Sequence, residues 1–405
     1  MNKISRIIYM FSNFVFAKFP VKQNRVYFYN IWGKYNDSTK VLFLEMFNRH
    51  PDFEYFYEVS SKNIKLPNGL IPVKKNSLKS IYYKMTSRVV FDNDYGGIKW
   101  RGVKSRANKI SWFIKSCIQK NSTNFSVGHG TFIKTVGLDR KLDNYDVYIT
   151  STDYMCVSNS HWKETTERNT FGTISKYLLT GTPRNDRLFD TYDIETLKIQ
   201  NDLINKKIAI IAPTFRTEIR NGVVYHLGAE DFVNNIKKNA ENLVSKLSEK
   251  FGGDWILGLR MHPGIKSSTF DRTEFLFSAN EMDDITDYLL MSDLLITDYS
   301  SCAFDMAITY KPCFLLWSDE KFYRNQEQGL YFEREELPFP IADDIDGLIN
   351  LIEKFDKNIY INNLNNYFKL YGMYTGNDST ARVANCVDQI LGFTNHDYLS
   401  EYKML

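Results

Sequence analysis

Residues 208–212 read Ile-Ala-Ile-Ile-Ala, and residues 213–216 continue as Pro-Thr-Phe-Arg. Five consecutive apolar residues that end at a proline predict a buried strand. Downstream, Asp231–Phe251 carries apolar residues at helical spacing and predicts one long helix. Trp255–Met261 (WILGLRM) then predicts another strand. The order strand, helix, strand is typical of a parallel α/β layer.

The same alternation extends in both directions from this segment and predicts two βα domains that meet near residues 185–205. We expect a first domain over residues 21–190 and a second over residues 191–378. Further strands are predicted over Arg25–Ile31, Phe53–Val59, Arg88–Phe91, Asp146–Thr150, Tyr177–Thr180 and Cys313–Trp317, and further helices over Ser38–Asn48, Leu78–Met85, Ile345–Phe355 and Thr380–Leu391. By analogy with two-domain transferases, residues 379–405 are expected to cross back to the first domain.

Composition narrows the class of protein. The chain has 405 residues, of which 43% are hydrophobic and 24% charged, so it has enough apolar material for two cores. A formal net charge of +3 is too small to indicate nucleic acid as the main partner. The cysteines form no Cys-x-x-Cys pair, which favours reduced core thiols in a cytoplasmic protein; they are Cys117, Cys156, Cys302, Cys313 and Cys386.

The N-terminal segment, residues 1–20, is apolar and aromatic over Ile4–Phe19 and carries Lys3, Arg6 and Lys18. It is too short to span a bilayer and lacks the small-residue cleavage site of a signal peptide. It predicts an amphipathic helix lying in a membrane interface. The alternative is a helix that packs on its own domain.

Polar residues cluster just after the predicted strands, where open α/β sheets bind ligands. The first cluster is residues 128–131, Gly-His-Gly-Thr, followed by Lys134. Flanking glycines allow the backbone to approach a ligand closely, and a histidine there can accept a proton from a hydroxyl. We therefore select His129 as a catalytic candidate and Gly130, Thr131 and Lys134 as binding candidates. The alternative is a histidine bonded only to structure.

Three further clusters supply cations at strand ends. Arg184 lies in Gly-Thr-Pro-Arg-Asn-Asp, residues 181–186, and could pair with a phosphate through two hydrogen bonds. Thr214 and Arg216 follow the strand over 208–212 and suit a phosphate or ribose. Arg260 and His262 alternate along a strand and so share a face. The alternative is an interdomain turn for the segment of Arg184 and surface charge on a loop for Thr214 and Arg216. For Arg260 and His262 the alternative is a lone ion pair with a nearby carboxylate.

The last cluster is residues 297–305, Thr-Asp-Tyr-Ser-Ser-Cys-Ala-Phe-Asp. Ser300 and Ser301 fall where a strand becomes a helix, so their hydroxyls and nearby N–H groups can hold a phosphate. Asp305 could accept a hydrogen bond from a ribose or polyol hydroxyl. Plain helix capping is the alternative. The Asp-x-Asp sequence at residues 92–94 is a weak metal signal, and a turn is the better interpretation.

As an ordered set, the motifs resemble the CDP-glycerol glycerophosphotransferase family, which makes wall teichoic acid and has relatives in capsule synthesis. They are GHGTFIKTVG at 128–137, GTPRND at 181–186, APTFR at 212–216, LRMHP at 259–263 and SDLLITDYSSCAFD at 292–305. The run at 322–340 is also similar to that family, and the resemblance extends over about residues 20–382.

The resemblance implies an α/β fold of the GT-B type, with two Rossmann-like domains facing each other across a cleft. It implies transfer of glycerol or ribitol phosphate from a CDP-polyol to an undecaprenyl-diphosphate-linked saccharide or polymer, without a metal ion or other cofactor. The protein would work at the cytoplasmic face of the membrane, without nucleic acid; self-association is left open. His129 would be the general base and His262 would stabilise or protonate the phosphate. The donor would be held by Arg184, Thr214, Arg216, Arg260, Ser300, Ser301 and Asp305.

One departure from the family pattern concerns the acceptor side. Gly128 replaces a tryptophan and Phe132 replaces a proline around the first motif. Two other functions stay open from the sequence. A UDP-sugar transferase or epimerase would share the same cleft, and a non-catalytic membrane-bound subunit of a polymer assembly complex would share the N-terminal segment.

Overall fold

The structure of the chain is a computed structural model. It describes residues 11–61, 64–94, 97–100, 121–128, 130–140, 147–150, 152–161, 176–220, 223–227, 230–262 and 272–403. The candidate base His129, Cys117 and the first ten residues of the N-terminal segment lie outside these ranges.

The first domain is built around a parallel sheet of seven strands in the order β3-β2-β1-β4-β6-β8-β9. Its centre is buried on both faces, as expected for a parallel sheet. Strands β5 and β7 pair with each other in an antiparallel ribbon apart from this sheet. The strands of this part are β1 Lys22–Tyr29, β2 Glu54–Val59, β3 Leu70–Lys74, β4 Ser87–Asp92, β5 Gly97–Trp100, β6 Thr123–Ser126, β7 Val147–Thr150, β8 Tyr154–Val157 and β9 Lys176–Leu179.

The second domain is built around a parallel sheet of six strands in the order β14-β13-β10-β15-β16-β17. Its central strand β10 contains the segment Ile-Ala-Ile-Ile-Ala, and residues 208–211 are fully buried. Strands β11 and β12 form a separate antiparallel hairpin. The strands are β10 Lys207–Ala212, β11 Arg216–Arg220, β12 Val223–Leu227, β13 Trp255–Leu259, β14 Leu276–Ser278, β15 Leu294–Thr297, β16 Cys313–Leu316 and β17 Ile341–Ala342.

Helices cover the faces of both sheets and bury their apolar sides. The α-helices with described bounds are α1 Asp37–Arg49, α2 Leu78–Met85, α3 Ile194–Gln200, α4 Glu230–Lys238, α5 Ala240–Phe251, α6 Ile285–Met291, α7 Cys302–Ala307, α8 Glu320–Gln326, α9 Ile345–Glu353, α10 Lys357–Leu370, α11 Ser379–Leu391 and α12 Tyr398–Glu401. Short 3-10 turns lie at Gly137–Asp139, Pro183–Phe189, Thr191–Asp193 and Arg334–Glu336. The cysteines of the described ranges are buried and unpaired.

One sequence expectation about a helix was wrong. Asp231–Phe251 is not a single helix, because α4 ends at Lys238 and α5 begins at Ala240. The Asn239 side chain donates to the carbonyl oxygen of Asn235 at 2.8 Å. A side-chain amide that bonds the backbone locally competes with the helical ladder, which accounts for the break.

The C-terminal helix α11 packs on the first domain rather than the second. Val383, Ala384 and Val387 belong to the same buried cluster as Val26 and Phe28 of β1. Its N-terminus is capped from outside the helix, because Asp186 accepts hydrogen bonds from the backbone N–H groups of Ser379 and Thr380 at 2.9 and 2.7 Å. The chain therefore crosses between the domains twice.

The described part of the N-terminal segment is helical over residues 11–16. Ala17 is buried and packs with Ile81 and Met85 of α2. Phe11 is 64% exposed, and Phe19 is 42% exposed although one edge of its ring meets Tyr82 of α2. None of the helices in the described ranges has the length and apolar character needed to cross a lipid bilayer.

Candidate active site

A cleft of 320 Å³ lies between the carboxyl ends of the two sheets. This is the position where open α/β sheets bind ligands. From the first domain it is lined by Trp32, Asp37, Asp94, Phe132, Lys134, Arg140 and Arg184, among others. From the second domain it is lined by Thr214, Phe215, Arg260, His262, Ser300 and Ser301, among others.

Gly130 lies where the two domains approach each other closely. Its φ of +119° is in the region that favours glycine. A Cβ atom at this position would lie 2.8 Å from the Ser301 Oγ and 2.9 Å from an Arg184 Nη. The first motif therefore leaves no room for a side chain at Gly130 beside Ser301 of the second domain. His129 precedes this glycine but lies outside the described residues.

The loop after β6 is anchored at both ends. Thr131 is buried, and its hydroxyl forms a hydrogen bond with that of Ser158. It does not line the cleft, so its side chain fixes the loop. Farther along, the Thr135 N–H donates to the Gly329 carbonyl at 3.0 Å, and the Tyr331 N–H donates to the Ile133 carbonyl at 2.9 Å. A short antiparallel bridge thus joins the two domains beside the cleft.

Arg184 is buried between one carboxylate from each domain. An Nη contacts Asp305 at 2.5 Å, and the other contacts Asp37 at 3.3 Å. Asp305 is 2% exposed and does not line the cleft. The sequence suggested a phosphate for Arg184 and a hydroxyl for Asp305, whereas the structure pairs these two side chains with each other. Asp305 therefore holds Arg184 in place at the floor of the cleft.

Asp298 organises the loop that follows β10. Its buried carboxylate accepts a hydrogen bond from the Thr214 N–H at 2.8 Å and another from the Thr214 hydroxyl. Arg216 contacts Asp298 at 3.1 Å and Asp319 at 2.7 Å. Its guanidinium is also 5.3 Å from the Tyr299 ring. Arg216 does not line the cleft, so it supports Thr214 through Asp298 rather than facing a ligand.

Arg260 and His262 follow β13, and both line the cleft. The Arg260 guanidinium donates to the carbonyl oxygens of Ala279, Met282 and Asp283 at 2.9, 2.6 and 3.0 Å. These bonds fix the loop over residues 279–283. His262 is half-buried, whereas Arg260 is buried.

Lys134 lines the cleft with its ammonium buried. Its Nζ donates no hydrogen bond to a residue of the described ranges, and it lies 5.1 Å from the centre of the Phe215 ring. Burial, and then the positive charge of Arg140, lower the pKa of Lys134 to about 8. With the hydroxyls of Ser300 and Ser301, this ammonium gives the cleft donors for an anion.

The Asp-x-Asp sequence of residues 92–94 forms a turn. Asp92 is buried and accepts hydrogen bonds from the Asp94 N–H and the Ser126 hydroxyl, both at 3.0 Å. Asn93 accepts from the Ile31 N–H at 2.9 Å. In the described ranges, no group of three or more His, Cys, Asp or Glu side chains is placed to hold a metal ion.

Residues 10–389 match the family model described as CDP-Glycerol:Poly(glycerophosphate) glycerophosphotransferase. The chain belongs to this family. The resemblance predicted from the motifs is therefore confirmed.

Relatives within the family are similar in sequence over most of this chain. A teichoic acid glycerol-phosphate transferase of Staphylococcus aureus is 27% identical over 366 residues, which cover 84% of this chain and 86% of the relative. A teichoic acid poly(ribitol-phosphate) polymerase of Bacillus spizizenii is 24% identical over 384 residues, which cover 87% of this chain and 55% of the relative. The chain thus spans little more than half of that polymerase.

The fold matches a solved structure of the wall teichoic acid polymerase TagF with a TM-score of 0.72 and 21% identity. The match covers 96% of this chain and 95% of the TagF chain. Together with the two parallel sheets, this confirms the predicted GT-B-like architecture.

The cleft residues that the sequence did not single out include Trp32, Asp37, Arg140 and Phe215. Phe215 lies in the motif over residues 212–216, in which only Thr214 and Arg216 were selected. Trp32 directly follows the predicted strand over Arg25–Ile31. Its position after that strand was the one signal that could have placed it at the cleft.

Proposed function

We propose that the chain transfers glycerol phosphate or ribitol phosphate from a CDP-polyol to a lipid-linked teichoic acid or capsule acceptor, with CMP as the leaving group. The observation that carries this proposal is membership of the glycerophosphotransferase family over residues 10–389. The cleft adds chemical support, because it holds the hydroxyls of Ser300 and Ser301 and the Lys134 ammonium, which donates to no described residue, and such donors suit a diphosphate.

The donor diphosphate would lie beside Lys134, Ser300 and Ser301. Phosphoryl transfer depends mainly on positioning and on neutralising charge, so donors held in a rigid cleft are sufficient for much of the catalysis. Arg184 would shape the floor of the cleft, where its charge is balanced by Asp305 and Asp37. Thr214 and Arg260 would support the loops that shape the donor pocket, and Arg216 would act through Asp298.

In the reaction, an acceptor hydroxyl oxygen attacks the β-phosphorus of the CDP-polyol. The bond from that phosphorus to the oxygen bridging the two phosphates breaks, and CMP departs with the bridging oxygen. His129 takes the proton of the attacking hydroxyl. His262 either donates a hydrogen bond to the phosphate oxygens, in which case CMP leaves as the anion and His129 later releases its proton to solvent, or protonates the leaving CMP, which offsets the proton taken by His129.

We further propose that this chemistry needs no metal ion and that the protein works at the cytoplasmic face of the membrane. The exposed aromatic side chains Phe11 and Phe19, with Lys18 between them, suit an anionic lipid surface. EDTA should leave turnover unchanged, and loss of activity restored by Mg²⁺ would contradict the first point. Replacing Phe11 and Phe19 by serine should reduce liposome binding, and unchanged binding would contradict the second.

The proposed function is tested by nucleotide release with CDP-glycerol, CDP-ribitol and UDP-N-acetylglucosamine, assayed side by side with a lipid-linked acceptor analogue. We expect CMP release from a CDP-polyol and an acceptor mass that increases by polyol phosphate units. His129→Ala should abolish transfer but leave CDP-polyol binding largely intact. Turnover of the UDP-sugar alone would overturn the proposal, and full activity of His129→Ala would remove that histidine from the mechanism.

A further inference from the structure

The imidazole of His262 lies between two aromatic rings that come from different domains. Phe215, in the second domain, has its ring centre 4.5 Å from that of His262 at an interplanar angle of 59°. Trp32, in the first domain, approaches to 5.3 Å at an angle of 80°. The contact with Trp32 therefore exists only when the two domains are together.

The turn that presents Trp32 is rigidly built. The backbone N–H of Trp32 donates to the Asn30 side-chain oxygen at 2.9 Å. The side-chain amide of Asn30 donates to the Asn36 side-chain oxygen at 2.9 Å. The preceding N–H group, of Ile31, donates to Asn93 at 2.9 Å. Asn30 and Asn93 are both 0% exposed, so these bonds are shielded from water.

Gly33 closes the turn on its other side. Its φ is +60°, and a Cβ atom there would lie 2.7 Å from the Ser60 backbone nitrogen. The backbone around Trp32 is thus fixed by neighbours on both sides. Among the described residues, Trp32 is half-buried and belongs to none of the hydrophobic clusters of its own domain. Core packing of the first domain does not explain this tryptophan.

We propose that Trp32 is a positioning residue for His262. Aromatic pairs prefer defined geometries, so rings on two sides restrict rotation of the imidazole. A proton-transferring side chain must be held in its productive orientation, and a small misplacement costs rate rather than affinity. Closure of the domains would then complete the orientation of His262. This inference rests on the proposed catalytic role of His262.

The first test is kinetic and uses Trp32→Ala, Trp32→Phe and, as a control, Tyr192→Ala, whose side chain is 93% exposed. We expect Trp32→Ala to lower kcat by about 10- to 100-fold with a change in the donor KM of less than about threefold. Trp32→Phe should retain more activity than Trp32→Ala, and Tyr192→Ala should match the wild type. An unchanged kcat for Trp32→Ala, or a loss confined to KM, would overturn the proposal.

A double-mutant cycle separates positioning from general damage. In a His262→Gln background, Trp32→Ala should reduce the remaining rate by much less than it does alone, because the group it orients is already gone. Equal reductions in both backgrounds would show that Trp32 acts independently of His262.

A spectroscopic readout needs no activity and keeps the test valid if His262→Gln is inactive. The protein has six histidines, so a sample with ¹³C-labelled histidine rings gives few resonances, and His262→Gln assigns the one of interest. Trp32→Ala should shift that resonance, and Trp32→Phe should restore it in part. An unmoved resonance would overturn the contact itself, whereas a wild type that releases no CMP would overturn the proposed function alone.

Discussion

Lys134 and Lys311 are two lysines of the same molecule whose pKa is about 8 in each case, and burial is the largest cause for both. Lys311 lies at the amino edge of the second sheet, where its Nζ donates to the carbonyl oxygens of Leu289, Leu290 and Ser292 at 3.3, 2.8 and 2.7 Å. Lys134 lies at the carboxyl edge, and its Nζ donates to no described residue. A lowered pKa alone therefore does not distinguish a ligand site from a structural cation.

The amino and carboxyl edges of the second sheet differ in how far their cations are hydrogen-bonded to protein carbonyls, as the two lysines do. The amino edge also has a cavity, of 780 Å³, and it is rich in lysine. Yet Lys207 donates to the Phe251 carbonyl and Lys250 to the Glu353 carbonyl, both at 2.8 Å. These ammoniums are partly committed to backbone oxygens that need partners. The smaller cleft at the carboxyl edge is the better candidate because its donors are less committed.

The largest expected effect concerns the floor of the cleft. Asp305→Ala removes the closer carboxylate of a buried pair and leaves Arg184 with Asp37 alone. Breaking such a pair costs about 3–5 kcal/mol of unfolding free energy. Chemical denaturation measures it, and Glu249→Ala on the surface is the matched control, expected to behave like the wild type. If both variants unfold alike, the Arg184–Asp305 pair does not stabilise the cleft.

The next effect tests the comparison of the two lysines through ligand binding. Lys134→Met should weaken CDP-glycerol binding by about 10- to 100-fold, because a charge-assisted hydrogen bond contributes about 1.5–3 kcal/mol. Lys311→Met should bind the donor like the wild type. Isothermal titration calorimetry measures both constants. If both variants bind CDP-glycerol with equal affinity, the carboxyl edge is not distinguished from the amino edge as the donor site.

For the free energy of unfolding, we expect Lys311→Met to lose more than Lys134→Met, which is the reverse of their order in donor affinity. Lys311→Met leaves carbonyl oxygens at the end of α6 without their donor, at a cost of about 1–3 kcal/mol. Lys134→Met removes an ammonium that donates to no acceptor in the described part of the chain, so its unfolding free energy should stay equal to or rise above that of the wild type. Denaturation of both variants by urea gives the comparison, and a larger loss for Lys134→Met would reverse our interpretation.

The smallest effect is in pH dependence. Lys134 is charged below its pKa of about 8 and loses that charge as the pH rises through this value. Donor binding favours the charged form, so affinity should fall above pH 8, by up to about tenfold per pH unit. Lys311→Met should keep this dependence and Lys134→Met should lose it. A dependence that survives in Lys134→Met would assign the titration to another group.

The fold was largely predictable because apolar runs mark buried parallel strands. Residues 208–212 and Trp255–Met261 were placed in strands that the structure contains as β10 and β13. The short strands β3 and β8 were missed, as was the β11–β12 hairpin, since four or five residues carry little periodic signal. The break at Asn239 was missed because the apolar spacing of α4 continues into α5.

The site was predictable as a set of strand ends but not as a set of contacts. The sequence selected Arg184, Arg216 and Arg260 as ligand-binding cations. In the structure Arg184 forms an ion pair with Asp305, and Arg216 forms ion pairs with Asp298 and Asp319. Arg260 donates hydrogen bonds to backbone carbonyls. Which guanidinium is left for a ligand depends on partners that are distant in the chain, and a single sequence does not encode those distances in a readable pattern.

The most direct test is a crystal structure with CDP-glycerol bound. The account predicts that the diphosphate lies in the cleft at the carboxyl edge, within hydrogen-bonding distance of Lys134 and of the Ser300 or Ser301 hydroxyl, with His262 facing it. A diphosphate bound instead among Lys207, Lys250 and Lys357 at the amino edge would contradict it.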